Sequence, residues 1–316
     1  MEPTYLSKDV NGNVVIFELE GDAVEIFRPN DLFSKRNRYL MSDWERIKPS
    51  YDTSSDVSCY NDVINAAWQC LVMQTIIKKD TQISKHGRGK YFPRIWRGIN
   101  DGLSSYEGVD PGKTYGHVFV GATVAVLSIL QSLESLFKYI EPAKGNLGTF
   151  SHKIRETLIL VCTEVESALR SVLDANSSNG RERYTTADYF KLADPMRLKE
   201  WAVSLSNYPE LGVYAPFSQW DEKSPTKSLP WYDCYNAVKH HREEQFQAAS
   251  LDNLLNAAAA LHILQSAQFG PYIYHSYSGS DRSPFSVVKS PEFDLSELYI
   301  PDFIGNTDMI PKLYFA

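Results

Sequence analysis

Residues 231–270 read WYDCYNAVKHHREEQF, then QAAS, then LDNLLNAAAALHILQSAQFG. Two helices are written there with clear punctuation. Pro230 suits the first turn of the first helix, where no backbone donor is needed. Ser250 is an N-cap for the second, with Leu251, Leu254, Leu255, Ala258 and Leu261 on one stripe behind it. Gly270 followed by Pro271 ends that helix.

The first helix has an unusual wheel. At about 100° per residue, Trp231, Tyr235, Val238 and Phe246 share one face. Arg242 falls in the middle of that face and Lys239 at its edge, while Asn236, His240 and Glu243 take the opposite, polar side. A guanidinium buried without a partner is strongly destabilising. Arg242 therefore calls for a carboxylate or several carbonyls on another helix, and Glu166, or else Glu164, is the candidate carboxylate. The plainer alternative for Glu166 is an ion pair with Arg170, four residues on.

Outward from this stretch, Ser151 caps a helix with Ile154, Leu158, Val161, Val165, Leu169 and Val172 on one stripe. Asp194-Pro195 opens another predicted helix, with Leu198, Trp201, Ala202 and Leu205 facing inward. Residues 114–139 form a helix that is apolar nearly all round as far as Leu130, the pattern of a centrally buried element. Pro142, Lys144, Gly145, Asn146 and Gly148 break the pattern and divide the chain into domains 1–145 and 146–316. Near the start, VVIFELE and AVEIF flank Gly21-Asp22 as a β-hairpin, and residues 28–48 read as a loop and a short helix. From Ser55 the pattern turns helical, with Val57, Tyr60, Ile64, Ala67, Trp68 and Leu71 in phase, as far as Lys79. The tail beyond Gly270 is rich in Tyr, Ser and Pro and reads as extended, its KLYFA end a candidate edge strand for the hairpin.

Residues 84–98, SKHGRGKYFPRIWRG, interleave Arg88, Lys90, Arg94 and Arg97 with Tyr91, Phe92 and Trp96. Charges for phosphates and rings for bases suit RNA or a single nucleic-acid strand. The alternative is a glycine-rich loop whose rings pack down and whose charges face water.

Several chemistries are excluded. GVDPGKT at residues 108–114 has the ending of a phosphate-binding loop without its spacing, and Asp110 and Pro111 do not suit the cradle. There is neither a dinucleotide-binding glycine fingerprint nor a G-x-S-x-G elbow. His240 and His241 are adjacent on a helix and point apart, so they cannot share a metal; no metal site and no cofactor is expected. The net charge of -7 argues against a whole-protein grip on nucleic acid but not against a local basic patch. The four cysteines, Cys59, Cys70, Cys162 and Cys234, form no C-x-x-C pair and read as buried thiols in a reducing compartment. No basic start precedes an apolar run, and the longest apolar stretch, residues 118–130, is short for a bilayer. A cytoplasmic protein without a membrane partner is expected.

The run PFSQW, SLPWYDCYNAVKHHREEQF and a capped Ala/Leu helix ending in SAQFG resembles an uncharacterised bacterial family with a P-W-Y-x-x-Y-N-x-x-K-H-x-R run. That family is similar to the HEPN superfamily of helical bundles, and the likeness covers about residues 151–270. It implies a mainly α chain. A HEPN-like four-helix bundle would follow a helical domain bearing a small N-terminal β-hairpin. It also implies a nucleic-acid-directed protein, RNA-binding, in the setting of bacterial phage defence, with metal-independent ribonuclease activity in some members. The arginine that those nucleases carry four to six residues before a histidine precedes none of the seven histidines here. Cleavage of RNA without a metal needs a proton-moving group and cations for the phosphate. His240, Asn236, Lys239, Arg242 and Glu166 are the candidates. The second class is a non-catalytic interaction or scaffold protein that uses its helices to form a homodimer or to hold a partner protein.

Overall fold

A computed structural model describes the chain except for residues 1–2, 9–12, 22, 30–35, 41–80, 101–104, 107–109, 179, 241, 275–281, 303–308 and 316. The helical pattern at residues 55–79 lies outside the described residues, as do Cys59 and Cys70. The chain divides into two compact units. One comprises residues 1–91, 97–110 and 292–312; the other comprises residues 92–96, 111–291 and 313–316.

The first unit is built on an antiparallel sheet of β1 (Thr4–Lys8), β2 (Val14–Glu20), β3 (Ala23–Phe27), β4 (Arg36–Leu40) and β5 (Gln82–Ile83), in the order β4-β3-β2-β1-β5. The hairpin read from β-branched residues is β2 and β3, turned at Gly21 with φ 62°. Of residues 28–48, read as a loop and a short helix, residues 36–40 form β4, which continues the meander, and residues 30–35 and 41–48 lie outside the described residues. The inner strands are buried on both faces: Leu6, Val14 and Ile16 pack with Leu295, Leu298 and Ile300 of the returning tail. On the other face Tyr5 stacks on its cross-strand partner Phe17. Two carboxylates are also inside. Glu25 pairs with Arg38 on the neighbouring strand at 3.2 Å, and Glu18 with Arg88 at 2.7 Å. The tail does not extend the hairpin: Ile310–Pro311 pairs in parallel with Lys90–Tyr91.

The second unit holds four long helices, α1 (His117–Phe137), α2 (His152–Asn176), α3 (Pro230–His240) and α4 (Leu251–Phe269). It also holds an antiparallel sheet of β6 (Ala202–Leu205), β7 (Val213–Tyr214) and β8 (Phe285–Lys289), with β6 in the middle. The caps fall where the sequence placed them. Ser151 accepts from the Ile154 N–H at 3.1 Å, and Ser250 from the Asn253 N–H at 3.3 Å. Residues 142–148, the expected domain boundary, lie inside this unit and link α1 to α2.

Three expectations are corrected here. The chain is mixed α/β rather than mainly α, and its second unit is not a HEPN-like four-helix bundle. The helix predicted after Asp194-Pro195 is instead a series of turns, a 3-10 turn at Leu198–Glu200 and then β6. Arg197 adopts φ 49°, which breaks a helix, and Leu198, Trp201, Ala202 and Leu205 are buried all the same. The central helix is not α1 but α4. Every residue from Ala257 to Phe269 is buried, including His262, Gln265, Ser266 and Gln268. α4 packs against α1, α2, α3 and the sheet.

Candidate functional site

α3 begins in an aromatic nest. The Trp231 indole N–H donates to the Pro216 carbonyl at 3.3 Å, and Phe217 meets Trp231 and Trp220 edge-on or tilted. This seat orients α3 so that Trp231, Tyr232, Cys234, Tyr235 and Val238 face inward.

Glu166 of α2 is the hub between α2 and α3. The Tyr232 hydroxyl donates to its Oε1 at 2.5 Å and the Tyr235 hydroxyl to its Oε2 at 3.4 Å. The Lys239 ammonium, one turn on, donates to the Tyr235 hydroxyl at 2.9 Å and sits over that ring. The result is a chain of ammonium, phenol, carboxylate and phenol in which the two charges balance. Burial, then the bond to Glu166, holds the Tyr232 phenol well above its ordinary range. The bond to Tyr235 raises Lys239. Each polar group is spent on another, so the network binds α3 to α2.

Arg242 is helical, within Arg242–Gln245, and its side chain lies outside the described residues, so of the expected Arg242–Glu166 pair only Glu166 is described, held by the two phenols. Arg170 turns away from Glu166 to Asp174 at 3.8 Å and to the Glu182 carbonyl. Lys239 and His240 are exposed side by side at the end of α3, with Asn236 half-buried one turn before His240. Two surface pockets of about 300 and 280 Å³ open elsewhere on this unit, the larger lined by Phe137, Tyr208 and Pro284 and the other by Arg181, Tyr184 and Asp188. None of Glu166, Asn236, Lys239 and His240 lines either one.

The basic and aromatic stretch 84–98 is shared between the units, and most of its side chains are engaged. In the first unit, Arg88 is held by Glu18 and by Asp302 at 3.3 Å. Tyr91 is buried against Tyr299, Lys90 is half-buried, and the Arg97 guanidinium is buried over the Phe293 ring. Burial, then the neighbouring Arg97 and Lys312, lowers His86 to about 4. In the second unit, the Arg94 Nε–H donates to Gln268 at 2.7 Å, and its guanidinium lies over Phe269. Its backbone N–H donates to the Tyr115 hydroxyl at φ 58°. Trp96 is buried against Trp201. Lys85 is the exposed cation of the stretch.

Sequence reasoning picked Glu166 but missed that phenols, not a guanidinium, satisfy it. The signal was Tyr232 and Tyr235 three residues apart, one turn of α3. It also missed the outer face of α1, where Val118, Val120 and Val124 are 43%, 56% and 57% exposed. By length and composition α1 is long and apolar enough to cross a membrane, and 28% of its most apolar window is buried within the fold. Among the described residues no group of three His, Cys, Asp or Glu side chains is placed to hold a metal.

Set beside known proteins, the chain matches no family model, no curated protein and no solved structure.

Proposed function

We propose that this chain is a non-catalytic interaction protein whose binding face is the outer stripe of α1. The observation that carries the reading is the exposure of Val118, Val120 and Val124 on a helix whose other face is packed into the core. Exposed apolar surface of this kind is a feature of protein interfaces. The inward placement of Arg88, Arg94, Trp96 and Arg97 supports it, because those side chains serve the fold. The balanced Glu166 network supports it too, because its groups are committed to each other. A cytoplasmic setting goes with the reading, since Cys162 and Cys234 are buried free thiols. The test is a photoreactive amino acid at position 124, activated in the native cells. A discrete protein adduct is expected; no adduct, or adducts with lipid alone, refutes the reading.

A second reading, a metal-independent ribonuclease, is favoured by one observation: His240 and Lys239 are exposed together, an acid/base beside a cation. Incubation with transfer RNA in excess chelator tests it. Cleavage by wild type and its loss in His240→Ala would support it, whereas intact RNA rejects it.

A further inference from the structure

We propose that the partner of α1 is a second copy of this chain, paired antiparallel along the same stripe about a two-fold axis that crosses it between Val124 and Ser128, at the level of Val126. This deepens the interaction reading and rests on it. On the helix wheel His117, Val120, Gly121, Val124, Ser128, Gln131, Ser135 and Lys138 form one stripe, and all eight are exposed. The stripe runs the length of the helix, about 30 Å at ~1.5 Å per residue. The opposite stripe, Val126, Ile129, Leu130, Leu133 and Phe137, is buried in the unit.

The chemistry of the outer stripe selects protein over lipid. Ser128, Gln131, Ser135 and the adjacent Glu134 would face hydrocarbon in a membrane, at a cost that a lipid-facing surface avoids. Against another helix they suit close approach. Ser128, Ser132 and Ser135 each turn the hydroxyl back to the carbonyl four residues earlier, at 2.9, 3.0 and 2.9 Å. Their donors are thereby satisfied and they present a small, smooth surface beside Gly121.

The stripe is complementary to itself in one direction. With the axis at the level of Val126, Val124 of one copy lies on Ser128 of the other, Gly121 on Gln131, and His117 on Ser135. Large meets small at the centre. The ends of the helix also match: His117 precedes the apolar middle and Glu134 follows it, and the antiparallel register sets His117 of one copy beside Glu134 and Ser135 of the other, whereas parallel pairing sets like ends together.

The test uses the purified full chain. Sedimentation over a concentration series should show a dimer, and Val124→Glu should leave a monomer with unchanged far-UV dichroism and a melting temperature that no longer rises with concentration. A mixture of Gly121→Cys and Gln131→Cys chains should form a disulfide between those two positions under mild oxidation, while neither variant should link to itself there. In an antiparallel pair two copies of position 121 lie about 15 Å apart along the axis, too far for a disulfide. A monomer at every concentration, a dimer that survives Val124→Glu, or self-linking of Gly121→Cys overturns the proposal. So does partition of wild type into phosphatidylglycerol vesicles through α1. The photoreactive residue at position 124 separates this failure from that of the interaction reading. An adduct of twice the chain mass supports self-pairing, an adduct of another mass keeps only the interaction reading, and no adduct removes both.

Discussion

Removing one hydroxyl should reveal what Glu166 does. Tyr232→Phe keeps the ring contacts of Tyr232 with Trp231 and Tyr235, both at 5.6 Å, and deletes only the donor to Glu166. A net hydrogen bond to a charged group is worth about 1.5–3 kcal/mol, so the variant should lose about 2 kcal/mol. Glu166→Gln keeps the shape and an acceptor oxygen but makes the bond neutral, about half as strong, for a loss of about 1 kcal/mol. Once the Tyr232 hydroxyl is gone, neutralising residue 166 costs little more through this contact. The double variant should therefore lose about 2 kcal/mol rather than 3, a coupling of about 1 kcal/mol. Urea unfolding of the four proteins, followed by far-UV dichroism and compared at equal slope, gives all four numbers. Additivity within about 0.3–0.5 kcal/mol, the behaviour of independent sites, would show that Glu166 is not held by Tyr232. The lock between α2 and α3 would then have to come from packing alone.

Three further outcomes follow from local geometry. Gly270 ends α4 at φ 99° and ψ 155°, and a Cβ there would stand 3.1 Å from the Trp96 indole nitrogen. Gly270→Ala should therefore cost at least the ~1–3 kcal/mol of such backbone strain, read as a lower urea midpoint; an unchanged midpoint rejects it. Asp188 accepts from the Thr185 backbone N–H, from Lys191 and from the Thr185 hydroxyl, and these hold its carboxyl down at about 2, below the usual 3.8. Its contribution is complete above 3.8 and is lost as pH falls through about 2, so the melting-temperature gap between wild type and Asp188→Asn should close over that window. His262 is fully buried, donates to or accepts from Ser283 at 2.9 Å, and is lowered by burial to about 3. Neutral His262 favours the fold above 6.5, and this is lost as pH falls toward 3. His262→Phe should flatten the melting profile between those values, leaving a smaller slope from His86, and an unaltered profile would contradict the assignment.

The legible parts of the fold were those where local chemistry and tertiary structure agree. Gly21 between two β-branched runs, the Ser151 and Ser250 caps and the Gly270 stop need only a few neighbouring residues to take effect. The misread parts depend on distant segments. Leu198, Trp201, Ala202 and Leu205 have helical spacing, but a turn followed by a strand buries the same four. The choice is settled by β8, which pairs with β6 from far along the chain. β4 was hidden for a similar reason: RNRYL is too charged to look like a strand until Arg38 is set opposite buried Glu25.

The exchange of roles between α1 and α4 shows why average polarity misled. α1 looks central because its sequence is nearly free of charge, yet a stripe along its length, with Val120, Gly121, Val124 and Ser128 in the middle, is exposed. α4 carries His, Gln and Ser and looks amphipathic, yet it is the buried one. Several of its polar groups find partners inside: Ser266 donates to the His262 carbonyl, Gln268 donates to the Leu264 carbonyl and accepts from Arg94, and His262 meets Ser283 through one ring nitrogen. A polar side chain can enter a core when the core supplies its hydrogen bonds. The same reasoning governs the candidate site. Arginines that looked ready for phosphate were drawn in by Glu18, Gln268 and aromatic faces, and a carboxylate that looked in need of an arginine was answered by two phenols. Sequence spacing lists which residues share an element. It does not say which element supplies their partners, and that missing step decides whether a charge serves the fold or is left for a ligand.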